Sequence, residues 1–144
     1  MTSIRTPDYS LWQNFLLLAS RVLMCWIFVE SGFRKFLGMD GFITSLVNRR
    51  VPYAGVLGWI GAAVEFFGGL AILFGAWTRC GALALIVFVI VATLIGHRYW
   101  EFTEPAARRM QQSHFWKNVT IIGGFVLLLV TGGGRWSVDG WRRR

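Results

Sequence analysis

Arg21, Glu30 and Glu65 are ionisable residues set inside runs that a lipid bilayer would accept. A charge at mid-membrane costs about 3 kcal/mol or more unless it is paired or hydrated, so each needs a partner or a task. Nine residues at about 100° each put Arg21 and Glu30 on opposite faces of one helix, so they cannot pair with each other. Glu30 instead stands four residues before Arg34, the favourable acid-to-base order on a helical face. Arg21 lies deeper, and Glu65, near the middle of the next apolar run, is the acid at comparable depth. An intramembrane ion pair between Arg21 and Glu65 is therefore expected. It can serve to fix helix register or to do chemistry, and the residues alone leave both open.

A second group gathers where two other runs end. His97 closes one in "IGHRYW", and "FWKN" (115–118) opens the next, which puts His97, Trp100, Lys117 and Asn118 at one level. Glu30 and Lys35, leaving the first run, join them. These six residues form a candidate polar pocket for a lipid headgroup, a quinone ring or a small anion, with His97 as proton carrier. The competing reading is that each snorkels to water or caps a helix.

Other chemistries find no support. His97 and His114 flank a loop instead of facing each other across mid-membrane, which disfavours a bis-histidine haem. No metal-ligand spacing, phosphate loop, nucleophile elbow or nucleotide fingerprint occurs. No intrinsic cofactor and no metal are expected. Cys25 and Cys80 lack C-x-x-C spacing and read as structural thiols.

The elements that must hold these residues are membrane helices. The chain of 144 residues is 55% hydrophobic and 15% charged, with a mean hydropathy of +0.52, values that exclude an ordinary soluble domain. Four runs reach or approach the ~20 residues a span needs, at about 14–36, 54–77, 80–97 and 115–131. They predict one all-α domain over 1–144, an antiparallel four-transmembrane-helix bundle. Trp12, Trp77, Trp100, Trp116 and Trp136 mark the ends of the spans at headgroup level. The first run carries Arg21 and lacks a small-residue cleavage site, so it reads as a retained span, not a removable signal.

"AWTRCG" between the second and third runs permits only a tight antiparallel turn. In the first loop, Phe42, Ile43, Leu46 and Val47 recur at helical spacing, which predicts a short amphipathic helix along the interface, ended by Pro52. Gly55, Gly58, Gly61, Gly68 and Gly69 in the second run, and Gly123 and Gly124 in the fourth, read as places of close helix approach. The net charge of +8 comes from arginines that flank apolar runs, which points to anionic lipids and away from nucleic acid. The side bearing the longer loops carries eight basic residues and the side bearing the termini six, apart from Arg21. The compact "WRRR" end argues for both termini in the cytoplasm.

Four segments carry a family resemblance over nearly the whole chain: "ARVLMCWIFVESGFRKFLGMDGF", "AAVEFFGGLAILFGAWTRCGALAL", "VATLIGHRYWEF" and "FWKNVTIIGGFVLLLVTGGGRWSVD". In order and spacing they resemble the DoxX family of small four-span proteins, and "GHRYW" and "FWKN" resemble its bacterial inner-membrane branch. The resemblance implies a four-helix bundle in the bacterial inner membrane and work linked to quinones or oxidative stress. It transfers no catalytic role to Arg21, Glu65, Arg79, His97, Trp100, Lys117 or Asn118.

Three classes of function follow. The chain is a membrane subunit or accessory of a quinone- or thiol-linked redox system, with a soluble or membrane oxidoreductase as partner and a quinone as its ligand. Alternatively it moves or senses a small solute as a homo-oligomer, with Gly58 and Gly61 on the oligomer face, or it is a structural or assembly factor without catalysis. The residues do not decide whether it is an enzyme; the resemblance favours the first class.

Overall fold

A computed structural model describes residues 9–142. Its helices are α1 (Leu11–Leu37), α2 (Met39–Asn48), α3 (Ala54–Phe74), α4 (Thr78–Gly96), a 3-10 turn (Tyr99–Glu101), α5 (Pro105–Thr131) and a short α6 (Val138–Trp141). Among the described residues four helical segments are long and apolar enough to cross a membrane: α1, α3, α4 with the turn that follows it, and α5. They run alternately up and down as an antiparallel bundle in which α1 packs on α3, α3 on α4 and α4 on α5. Rings of Phe28 and Phe125, 5.3 Å apart, join α1 to α5 and close it.

Glycines set the tightest approach. A Cβ added to Gly32 would lie 2.8 Å from the Cβ of Phe66, and one added to Gly69 would lie 3.0 Å from Val29, so α1 and α3 touch almost backbone to backbone. Lipid offers no hydrophobic drive between helices, and such contacts supply dispersion energy in its place. Gly68 receives Leu85 of α4 in the same way. Cys25, Phe28, Ile72, Leu85, Val89 and Phe125 meet in the shared core.

The predicted loop-one helix is present as α2, but it packs against α3 instead of only skimming the interface. Met39 and Leu46 are buried, and Ile43 and Leu46 lie over Gly58. Gly58 is thus covered by the chain itself and is not free to form an oligomer face.

Two segments differ from the sequence reading. α5 begins at Pro105, ten residues before the predicted fourth span. "PAARRMQQSH" is too polar to count as a span, yet alanine, arginine, methionine and glutamine are good helix formers. Pro105 fits the first helical position, and the Glu104 carboxylate caps the amides of Ala106 and Ala107. The second difference is the segment after α5, which folds back under the bundle and inserts α6 against the α3–α4 turn.

Candidate functional site

The close approach of α1 and α3 dictates where the intramembrane charges fall. With Gly32 against Phe66 and Val29 against Gly69, each step toward the start of α1 is matched by a step toward the end of α3. Continued, this register places Arg21 past Phe74, beside Gly75, and Glu65 beside Lys35. The expected Arg21–Glu65 pair is therefore corrected: Glu65 is bonded by the Lys35 ammonium, and Arg21 sits ten residues of helix away, about 15 Å of rise. The sequence reading took depth from the centres of the apolar runs, and α1 extends beyond its run at both ends.

Lys35 also donates to Ser31 Oγ at 3.1 Å and lies over the rings of Phe42 and Phe88, 5.1 and 5.8 Å from their centroids. Glu30 pairs with Arg34 as its spacing predicted, on a more exposed face of α1.

Arg21 is fully buried. Its Nη2 donates to the carbonyl of Trp136 in the C-terminal segment, while Nε and Nη1 have no hydrogen-bond partner among the described residues. Around it the segment is fastened at several points. Arg135 N–H donates to Asn14 Oδ1 at 2.7 Å, and Asp139 N–H to the carbonyl of Gly75 at 2.9 Å. The Asp139 carboxylate accepts from the amides of Trp77 and Thr78 and from the Thr78 hydroxyl. An acid at the N-terminus of α4 satisfies amides that have no partner in the helix and complements the helix dipole.

Two further arginines act on helix ends. Arg79 donates to the carbonyls of Leu129 and Val130 at the end of α5. Arg49 donates through Nη1 to those of Ile95 and Gly96 at the end of α4. The sequence places both arginines as membrane flanks and does not reveal these contacts, because the partners are backbone atoms that no motif marks.

Along α3 and α4, beneath α2, runs a cavity of about 750 Å³. Its long wall is apolar, with Leu57, Ile60, Val64, Leu83, Val87 and Val91 among its residues. Apart from the partly exposed Val64, these side chains are exposed in the chain, so the cavity opens toward the surrounding bilayer. Its polar groups lie at the loop side: Lys35, Ser45, Arg49 and His97. Cys80 lines the far end and Cys25 is buried in the core.

Of the predicted pocket residues, Lys35 and His97 share this cavity. Asn118 is instead an interhelical link, donating to Thr93 Oγ1 at 2.8 Å. Trp100 joins an aromatic cluster with Tyr99 and Phe115, 5.2 and 6.0 Å between centroids, and Lys117 is exposed. Glu30, Trp100, Lys117 and Asn118 do not line the cavity. His97 and His114 are closer than their sequence positions suggested, with ring centroids 5.0 Å apart and the planes tilted by 30° at the loop boundary. No group of three metal-ligating side chains stands together among the described residues.

A bundle of four apolar helices, each long enough to cross a membrane, defines an integral membrane protein. The DoxX family profile matches residues 16–98, and the chain belongs to the DoxX family. It is 33% identical over 139 residues to "Inner membrane protein YphA" of Escherichia coli, covering 96% of this chain and 99% of that one. It is 38% identical over 122 residues to "Inner membrane protein YqjF" of the same organism, covering 85% and 88%. A more distant similarity, 24% over 127 residues, links it to "ER-derived vesicles protein ERV29" of Saccharomyces cerevisiae, across 88% of this chain and 34% of that protein. No solved structure matches. The protein is a multi-pass inner-membrane protein of the DoxX family.

Proposed function

We propose that the protein is a membrane subunit of a quinone-linked redox system, holding a quinone-type amphiphile in the cavity for an oxidoreductase partner that carries the electron-transfer cofactor. The observation that carries this reading is the cavity's polarity: an apolar wall along α3 and α4 that ends at Lys35, Arg49 and His97. A quinone has that form, a ring with two polar oxygens on a long apolar tail, and 750 Å³ falls in the range of small-molecule sites. Lys35 is already paired with Glu65, which leaves Arg49 and His97 as the groups at this end that can hydrogen-bond a ring oxygen. The chain supplies binding and orientation, and the redox chemistry belongs to the ligand and the partner.

The test is purification from native membranes in mild detergent, with mass spectrometry of co-purifying proteins and extracted quinones and lipids. Stoichiometric quinone, or a stoichiometric oxidoreductase, is expected. Recovery of the protein alone with ordinary phospholipid would sink the reading.

A further inference from the structure

We infer that Gln111 is a positioning residue of this cavity, fixing His97 so that the site prefers an amphiphile whose head carries a hydroxyl, the reduced form of a quinone. The inference rests on the quinone reading and adds to it the redox state that is bound. Gln111 reaches His97 only because α5 starts at Pro105 and carries the residue down beside the end of α4. There the His97 Nδ1 lies 2.8 Å from Gln111 Oε1. With the Gln111 amide turned so that its oxygen faces the ring, Nδ1 is the donor, and in the neutral imidazole Nε2 then presents a lone pair. The ring of His114 lies beside that of His97, 5.0 Å away and tilted by 30°. With Nδ1 taken, Nε2 is the nitrogen of His97 left for a ligand.

The other polar groups at this end complete a donor and acceptor set. Arg49 uses Nη1 for the α4 carbonyls, which leaves the N–H groups of Nε and Nη2. A hydroquinone hydroxyl donates to His97 Nε2 while its oxygen accepts from Arg49. A quinone carbonyl satisfies Arg49 equally well but turns its lone pair toward that of Nε2. One hydrogen bond gained against one acceptor left unpaired corresponds to about tenfold in affinity.

The experiment uses the full chain in nanodiscs, 15N-labelled at histidine, with a decyl-tailed benzoquinone and its hydroquinone as anaerobic probes. The chain has two histidines, so His114→Gln assigns the spectrum. The expected result is the Nδ1–H tautomer at His97 and a roughly tenfold preference for the hydroquinone. Gln111→Leu should mix the tautomers and bring the two affinities within about twofold. An Nε2–H tautomer in the wild-type chain, or equal affinities for the two probes, overturns the inference while leaving the quinone reading standing. Failure of both probes to bind overturns the two together.

Discussion

Lys35 of α1 and Glu65 of α3 form an ion pair inside the bundle, at the lip of the cavity and one helical turn from the contact of Gly32 with Phe66. Its position follows from the register of two helices that touch through glycine. The same register sends Arg21 to the opposite end of α3, where its partner is a backbone carbonyl.

Removing one member of the Lys35–Glu65 pair leaves a buried charge, so Lys35→Met should cost about 3 kcal/mol of stability. Combining it with Glu65→Gln should recover much of that loss. A double-mutant cycle by reversible unfolding in detergent is expected to give a coupling above about 1 kcal/mol for Lys35 with Glu65 and near zero for Arg21 with Glu65. A large Arg21–Glu65 coupling would contradict the register described here.

Asp139 holds three donors at the start of α4. Asp139→Ala should lower stability by about 1–2 kcal/mol, as loss of a helix cap does. Asp139→Asn, which keeps one acceptor oxygen, should cost less. Thermal denaturation followed by circular dichroism ranks the two, and equal melting temperatures for wild type and Asp139→Ala would show that the segment contributes nothing.

Gly75 has φ of +64°, and a Cβ there would lie 2.0 Å from Arg21 Nη1. Strain and clash act together, so Gly75→Ala should destabilise by about 2 kcal/mol or more. Gly55, where nothing lies within 4 Å of an added Cβ, should accept alanine without loss. Membrane abundance and melting temperature of the pair give the comparison.

Gly61 lines the cavity, and a Cβ there would meet only Phe88, at 3.7 Å. Gly61→Leu should therefore fold and fill the space a ligand needs, reducing recovered quinone by about tenfold or more. Wild-type quinone content in a well-folded Gly61→Leu protein would place the ligand elsewhere.

Hydrogen bonds from the amides of Ala107 and Ala106 hold the Glu104 carboxyl below the usual carboxylate range. A depressed folded-state value means the cap is fully present above the ordinary value, about pH 4.3, and is lost as pH falls through the folded value. Amide exchange at Ala106 and Ala107, corrected for intrinsic pH dependence, should quicken over that acid window. Glu104→Gln should show faster exchange already at neutral pH and little further change on acidification.

The spans, the loop-one helix and the contacts of Gly58, Gly68, Gly69 and Gly124 were legible because membrane helices are written in runs of apolar and small residues; Gly55 and Gly123 proved open among the described residues, and the tightest contact, at Gly32, was not marked. Glu30 with Arg34 was legible because both lie on one helix at fixed spacing. Lys35 with Glu65 was not, since it depends on the offset between two helices, and a shift of a few residues selects a different partner. The pocket was legible only in part: of its six predicted residues His97 and Lys35 line the cavity, while Arg49 contributes from the end of α2 and Gln111 adjoins it from a helix extension too polar to be counted as a span. The C-terminal fastening was the least visible, because Asn14, Gly75 and Asp139 are joined through backbone atoms.

The cavity opens through exposed Leu57, Ile60, Leu83 and Val87 along membrane-spanning helices. An occupant therefore exchanges sideways with the lipid and need not cross water. Its occupancy is governed by its mole fraction in the bilayer and its search is two-dimensional.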